Sequence, residues 1–290
     1  TGDKRGGCSI IGHVHPEVPD YRTSPAFVTG VVLVLSGVGH GIPFLLGDWP
    51  WEALVSWRKP ILFGISTGLT CMSLAWVYAR VRHRRLLDGL LAALALVEVA
   101  AITTLTWLGE PSHFGGQPEW LLATVHGTAL GLTALIGWTT VVVLGPAFAP
   151  KSSLDQRLAV RSGMVFLFVS CVLGAWTLVH GILQLDAGLV PDRYGDAGVP
   201  KFAHGITIHA LQLLVLTAWG LERIRVPPVR RMRIIAAMSA GQAFLLVFAL
   251  VQVLSGRGRL DIGIVSAVLL FCAAALTATP LMGVRPKFQE

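Results

Sequence analysis

The chain has 290 residues, of which 53% are apolar and only 13% charged, with a formal net charge of +7. Soluble domains carry about 25% charge, and the mean hydropathy of +0.67 excludes an ordinary soluble enzyme. The basic excess is scattered in short loops, and the densest stretch, Arg223–Arg233, is interrupted by Pro227 and Pro228. That pattern argues for topology and contact with anionic lipids, and against nucleic acid.

The first 24 residues form a polar arm without the apolar core of a cleavable signal peptide. The arm holds Cys8, His13 and His15, which read as polar arm residues rather than a metal site. About 20 apolar residues cross a bilayer core. Eight stretches meet that length: 25–46, 60–80, 86–108, 120–144, 160–184, 202–221, 234–254 and 261–281. The fold class is therefore an all-α integral membrane bundle of eight transmembrane helices over residues 25–283, with a short tail over 284–290. If the spans alternate, one side receives 17 of the 23 Lys and Arg residues. The other receives Arg58, Lys59, Arg193, Lys201, Arg257 and Arg259. The positive-inside rule puts the richer side, with both termini, in the cytoplasm of a bacterial inner membrane.

Six of the nine histidines, His40, His113, His126, His180, His204 and His209, fall toward the Lys/Arg-poor side. Ionisable groups in or near lipid are costly and point to function. Glu98 sits near the middle of the third span, and Glu110 just beyond its end. Trp176, His180 and Gln184 share one face of the fifth span at intervals of four. On an ideal helix His204 and His209 diverge by about 140°, with Gln212 between them in projection. They are not placed to chelate one ion side by side.

Glycine follows His40, His126, His180 and His204. Histidines on separate helices with small neighbours suit a flat haem b held by axial imidazole. The expected cofactor ligands are His40, His113, His126, His180, His204, His209 and Gln212. If a metal is bound directly, zinc or copper on His113, His180 and His204 is the alternative. A zinc hydrolase would bind zinc on His113, His204 and His209 and use Glu98 or Glu110 as catalytic base, and a proton-coupled transporter would use Glu98 and the histidines as a titratable relay. A further alternative is an accessory subunit of a larger membrane complex. Beyond membrane lipids, the expected partners are other membrane subunits or an electron-transfer partner. Cys71, Cys171 and Cys272 lie in spans without a CxxC pair, as ordinary small apolar residues.

A faint internal repeat is visible. His40-Gly41-Ile42 matches His180-Gly181-Ile182 at an offset of 140, and Phe63-Gly64-Ile65-Ser66 matches His204-Gly205-Ile206-Thr207 at 141. Four spans per half would give a 4+4 parallel tandem repeat. In outline this is similar to haem A synthase, whose sequence motifs are absent.

Three motifs carry a more specific resemblance. Lys59-Pro60 with Phe63 and Ser66, Glu98 with Ser112-His113-Phe114, and His204 with His209-Ala210-Leu211-Gln212 occur in order over residues 55–222. They resemble a family of uncharacterised bacterial multi-pass membrane proteins. The resemblance implies importance for Lys59, Glu98, His113, His204, His209 and Gln212, and implies no activity. The chain departs from that pattern at Leu62, Leu105, Leu108, Gly115, Gly205 and Thr207, where the family has Lys, Gln, Arg, Asn, Phe and Gly.

Overall fold

A computed structural model describes residues 20–47, 51, 53, 55–81, 84–114, 117–146, 148, 152–189 and 201–283. Cys8, His13 and His15, Gly115, Arg193 and the tail 284–290 lie outside the described residues. The described residues form helices α1 (Pro25–Gly39), α2 (Gly41–Leu46), α3 (Arg58–Tyr78), α4 (Arg84–Trp107), α5 (Glu119–Leu144) and α6 (Leu154–Asp186). They continue with α7 (Lys201–Thr207), α8 (Ala210–Arg223), α9 (Pro228–Leu254), α10 (Ile264–Thr277) and α11 (Thr279–Gly283). Among the described residues, eight helical units are long and apolar enough to cross a membrane, matching the eight predicted spans. The bundle has two ends. One, here the histidine end, receives the starts of α3, α5 and α7. The other, the arginine end, receives the starts of α4, α6 and α9.

Local chemistry sets the helix limits. Ser24 caps α1 by accepting from the Phe27 amide at 3.3 Å, and Pro25 occupies the first turn, where its missing N–H costs nothing. Pro43 and Pro280 account for two interruptions. Each ring collides with the carbonyl four residues back, so α1 stops at Gly39 and α10 at Thr277. The interruption between α7 and α8 contains no proline. It falls at Ile208–His209, where His209 has φ −101° and ψ 7°.

Close helix approach rests on glycine. A Cβ on Gly30 would lie 2.6 Å from the Gly68 carbonyl oxygen, and one on Gly64 would lie 2.7 Å from Gly37 Cα. These two pairs draw α1 and α3 together in antiparallel register, as small residues do in membrane bundles. Gly163 similarly admits Leu211 of α8 against α6. The central cluster joins Leu74 and Tyr78 of α3, Leu91 of α4, Met164 and Leu167 of α6, and Leu211. Val28, Val32, Leu35, Leu130, Val141, Leu216 and Phe271 are exposed. That inverts the soluble pattern and gives the bundle an apolar exterior.

The same neighbour pattern occurs in each half. The α1/α2 unit packs on α3 and α4, α3 packs on α4, and α4 packs on α5. Correspondingly, α6 packs on α7/α8 and α9, α7/α8 packs on α9, and α9 packs on α10. The halves meet chiefly where α5 lies on α6, and more sparsely between α3 and α8.

At the arginine end, α6 and α9 extend beyond their predicted starts because their polar residues find partners. Arg231 Nε pairs with Asp155 Oδ2 at 3.1 Å, both largely buried. Gln156 Nε2 donates to Glu222 Oε2 at 2.6 Å. Arg161 donates to the Val143 and Gly145 carbonyls at 3.2 Å, closing the C-terminus of α5. The Ala26 amide donates to Asp88 Oδ2 at 3.3 Å, tying α1 to α4.

Candidate functional site at the histidine end

The six histidines occupy different environments. His40, at the junction of α1 and α2, has both ring nitrogens engaged. Its Nδ1–H donates to the Ser36 carbonyl at 2.7 Å, and its Nε2 accepts from Trp107 Nε1 at 3.2 Å. The ring stacks on Trp57 at 5.9 Å, and Trp57 meets Trp107 edge-on at 4.8 Å. An open groove of about 380 Å³ beside it is lined by Ser36, Gly39, Ile42, Pro43 and Leu46 as well as His40 and Trp107. This histidine ties α1 to α4 and has no lone pair to spare.

His113 lies in the loop between α4 and α5. Its Nδ1 lies 2.8 Å from the buried Ser112 hydroxyl, and its ring packs 5.4 Å from Phe63 of α3. Burial pushes its imidazole down to about 3, helped by the nearby charges of Lys59, His126, Lys201 and His204. A ring surrounded by cations stays neutral and keeps its lone pair. His126 Nε2–H donates to the His113 carbonyl at 3.1 Å and so pins the loop to α5.

His204 on α7 is held by α6. Its Nδ1–H donates to the Ser170 carbonyl at 2.7 Å, and the Ser170 hydroxyl donates back to the His204 carbonyl at 2.9 Å. A Cβ on Gly174 would lie 3.0 Å from His204 Nδ1, so glycine there lets the ring lie against the α6 backbone. His209 turns the other way, its Nε2 lying 3.4 Å from Ser66 Oγ of α3. The two side chains contact different helices.

Three residues on, Gln212 Nε2 donates to Thr70 Oγ1 at 3.2 Å, leaving its buried Oε1 without a partner. His180 Nε2 is likewise buried without a partner. The Glu110 carboxylate accepts from the Gln117 amide at 3.2 Å on the exposed surface. Glu98 is 6% exposed, and no hydrogen bond or ion pair reaches it among the described residues.

The His-Gly pairs divide. A Cβ on Gly41, Gly127 or Gly205 would meet nothing within 4 Å, whereas the position on Gly181 is already filled by the Phe114 ring. Sequence reasoning missed this seating of Phe114 on α6, and it missed the Trp57–Trp107 pair. The tryptophans at the ends of two spans were a usable signal for the latter.

No group of three or more His, Cys, Asp or Glu side chains placed to hold a metal ion occurs among the described residues. His113, His180 and His204 are therefore not assembled as a three-ligand zinc or copper centre, and neither are His113, His204 and His209. Family models, curated proteins and solved structures were all compared with the chain, and none matches. The resemblance of its three motifs rests on those residues alone.

Proposed function

We propose that this is a multi-pass protein of the bacterial inner membrane that holds haem b near its extracytoplasmic face for electron transfer. The observation that carries the reading is the environment of His204. Its Nδ1–H is fixed on a backbone carbonyl, and its Nε2 meets no hydrogen-bond partner among the described residues. Histidines that ligate iron or zinc are oriented in this way by their other nitrogen. His113 and His180 also present an Nε2 without a partner among the described residues, and they are the proposed second axial ligands. Zinc and copper centres call for three or four protein ligands, whereas haem requires only one or two imidazoles. Gly127 and Gly205 lie at the exposed surface with no atom within 4 Å of a Cβ, so neither position carries a side chain in the way of a flat macrocycle. When bound, haem would supply one-electron chemistry. The chain's part is to orient neutral imidazoles and to shield them from water.

The distribution of 17 against 6 basic residues supports a cytoplasmic arginine end with both termini there, in contact with anionic lipids. The recurring neighbour pattern of the two halves supports a parallel tandem repeat. The deciding measurement is a visible absorption spectrum and iron assay on protein purified from cells supplied with haem. A Soret band that disappears in His204→Ala is the expected result. Iron-free protein without that band would overturn the reading.

A further inference from the structure

We propose that Glu98 is a proton-exchange site in the middle of the bundle, reached through the polar pairs on the seam between α3 and α8. Its position follows from spacing. Glu98, Ala101, Ile102 and Leu105 recur at helical intervals on one face of α4. The last three pack with Leu121 and Val125 of α5 and with Phe63 of α3. Glu98 therefore sits one turn below an apolar plug, and His113 stacks on the Phe63 side of that plug. Cys71 of α3 and Cys171 of α6 lie within electrostatic reach of the carboxyl. Beside Cys71, α3 carries Arg58 and Lys59 in its first turn and Tyr78 at its far end. Of the helices packed on α4, α1 carries no titratable residue, and α5 brings only Glu119 and His126 in its early turns.

An isolated carboxylate in such surroundings is strongly disfavoured, so the acid is held as COOH. A buried COOH matters functionally only if its proton can leave, and the plug closes the direct route toward His113. A second route is polar. At 1.5 Å per residue, Ser66, Glu98 and His209 lie roughly 12–14 Å from the histidine-end limits of α3, α4 and α7. His209 is exposed at that depth and touches Ser66. Gln212, one turn further in, touches the buried Thr70 and has an unused buried Oε1 acceptor. His209 with Ser66 at about the depth of Glu98, and Gln212 with Thr70 one turn further in, thus set an imidazole, two hydroxyls and an amide on the seam beside the plug. Proton exchange along it consists of association and dissociation of H⁺ at the Glu98 carboxyl, with no other bond changed.

The test is infrared difference spectroscopy of the full chain in lipid nanodiscs, in H₂O and D₂O, between about pH 5 and pH 9. The expected result is a protonated-carboxyl C=O band that titrates, shifts in D₂O and vanishes in Glu98→Gln. In Gln212→Leu its exchange in D₂O slows. A band indifferent to pH and D₂O would mean a sealed structural acid, and no band at all would mean an ionised one. Either overturns the proposal, as does a band that survives Glu98→Gln. If Glu98→Gln fails to fold, mass-spectrometric mapping of dicyclohexylcarbodiimide on the wild-type chain decides. Labelling at Glu98 in preference to the half-buried Glu110 supports the proposal, and its absence overturns it. A haem-free spectrum would leave this inference standing, because no step in it involves iron.

Discussion

Gly30 and Gly68 face each other so closely that a Cβ on either would lie 2.6 Å from the other's carbonyl oxygen. The close atoms are backbone, so neither helix can yield by rotating a side chain. Gly68→Ala is expected to force α1 and α3 apart and to destabilise the bundle by about 1–3 kcal/mol. Gly89→Ala, where a Cβ meets nothing within 4 Å, is the matched control. Thermal unfolding in detergent should show a lowered midpoint for the first and none for the second. Equal midpoints would remove the glycine seam as a source of stability.

At the arginine end, Asp155 is 2% exposed and faces Arg231 at 3.1 Å. Removing the guanidinium strands a carboxylate in a buried position. Arg231→Met is expected to cost about 3–5 kcal/mol, and pairing it with Asp155→Leu should recover much of that loss. A double-mutant cycle by denaturant or heat measures it. If the double variant is no better than Arg231→Met, the partnership is not what stabilises this end.

His40 has no unengaged ring nitrogen, so His40→Ala should leave any haem absorption of the purified protein unchanged. It should alter tryptophan emission, because Trp107 loses its acceptor and Trp57 its stacking neighbour. A cost of about 1–2 kcal/mol is expected for the lost hydrogen bonds. A vanished Soret band would instead place iron on His40.

His113 provides a pH test whose sign is fixed. Its imidazole is held near 3, against an ordinary value of 6.5, so the unfolded chain binds this proton more readily than the folded one. Its contribution to stability is complete above about pH 6.5 and is lost progressively as pH falls toward about 3. His113→Gln should therefore flatten the acid limb of the stability profile relative to wild type in that window. Nitrogen NMR of labelled histidine should find this ring neutral at pH 5, and a protonated ring there would contradict the assignment.

Much of the architecture was legible because apolar run length alone specifies a crossing helix. All eight spans were recovered, and the interruptions at Pro43 and Pro280 follow from proline chemistry. The break at Ile208–His209 was not legible, since nothing local requires it and it coincides with a contact to Ser66, more than a hundred residues earlier in the chain. The divergence of His204 and His209 was expected from ideal helix geometry. The structure has them contacting α6 and α3 respectively, across an interrupted helix. Which histidines keep a lone pair could not be read from residue types. It depends on whether a carbonyl, a hydroxyl or an indole stands opposite each nitrogen. The sequence placed Arg231 in a cationic loop, and only its encounter with Asp155 shows it as part of the packed end.

The depth of Glu98 has an electrical consequence. Its carboxyl lies roughly 13 Å from the Trp107 end of α4; with that end at the edge of a hydrocarbon layer of about 30 Å, a charge gained or lost there would move through roughly two-fifths of the membrane field. At about 2.3 kcal/mol per elementary charge per 100 mV, this amounts to about 1 kcal/mol. An energised membrane would thereby shift the acid's occupancy several-fold, with no change in pH on either side.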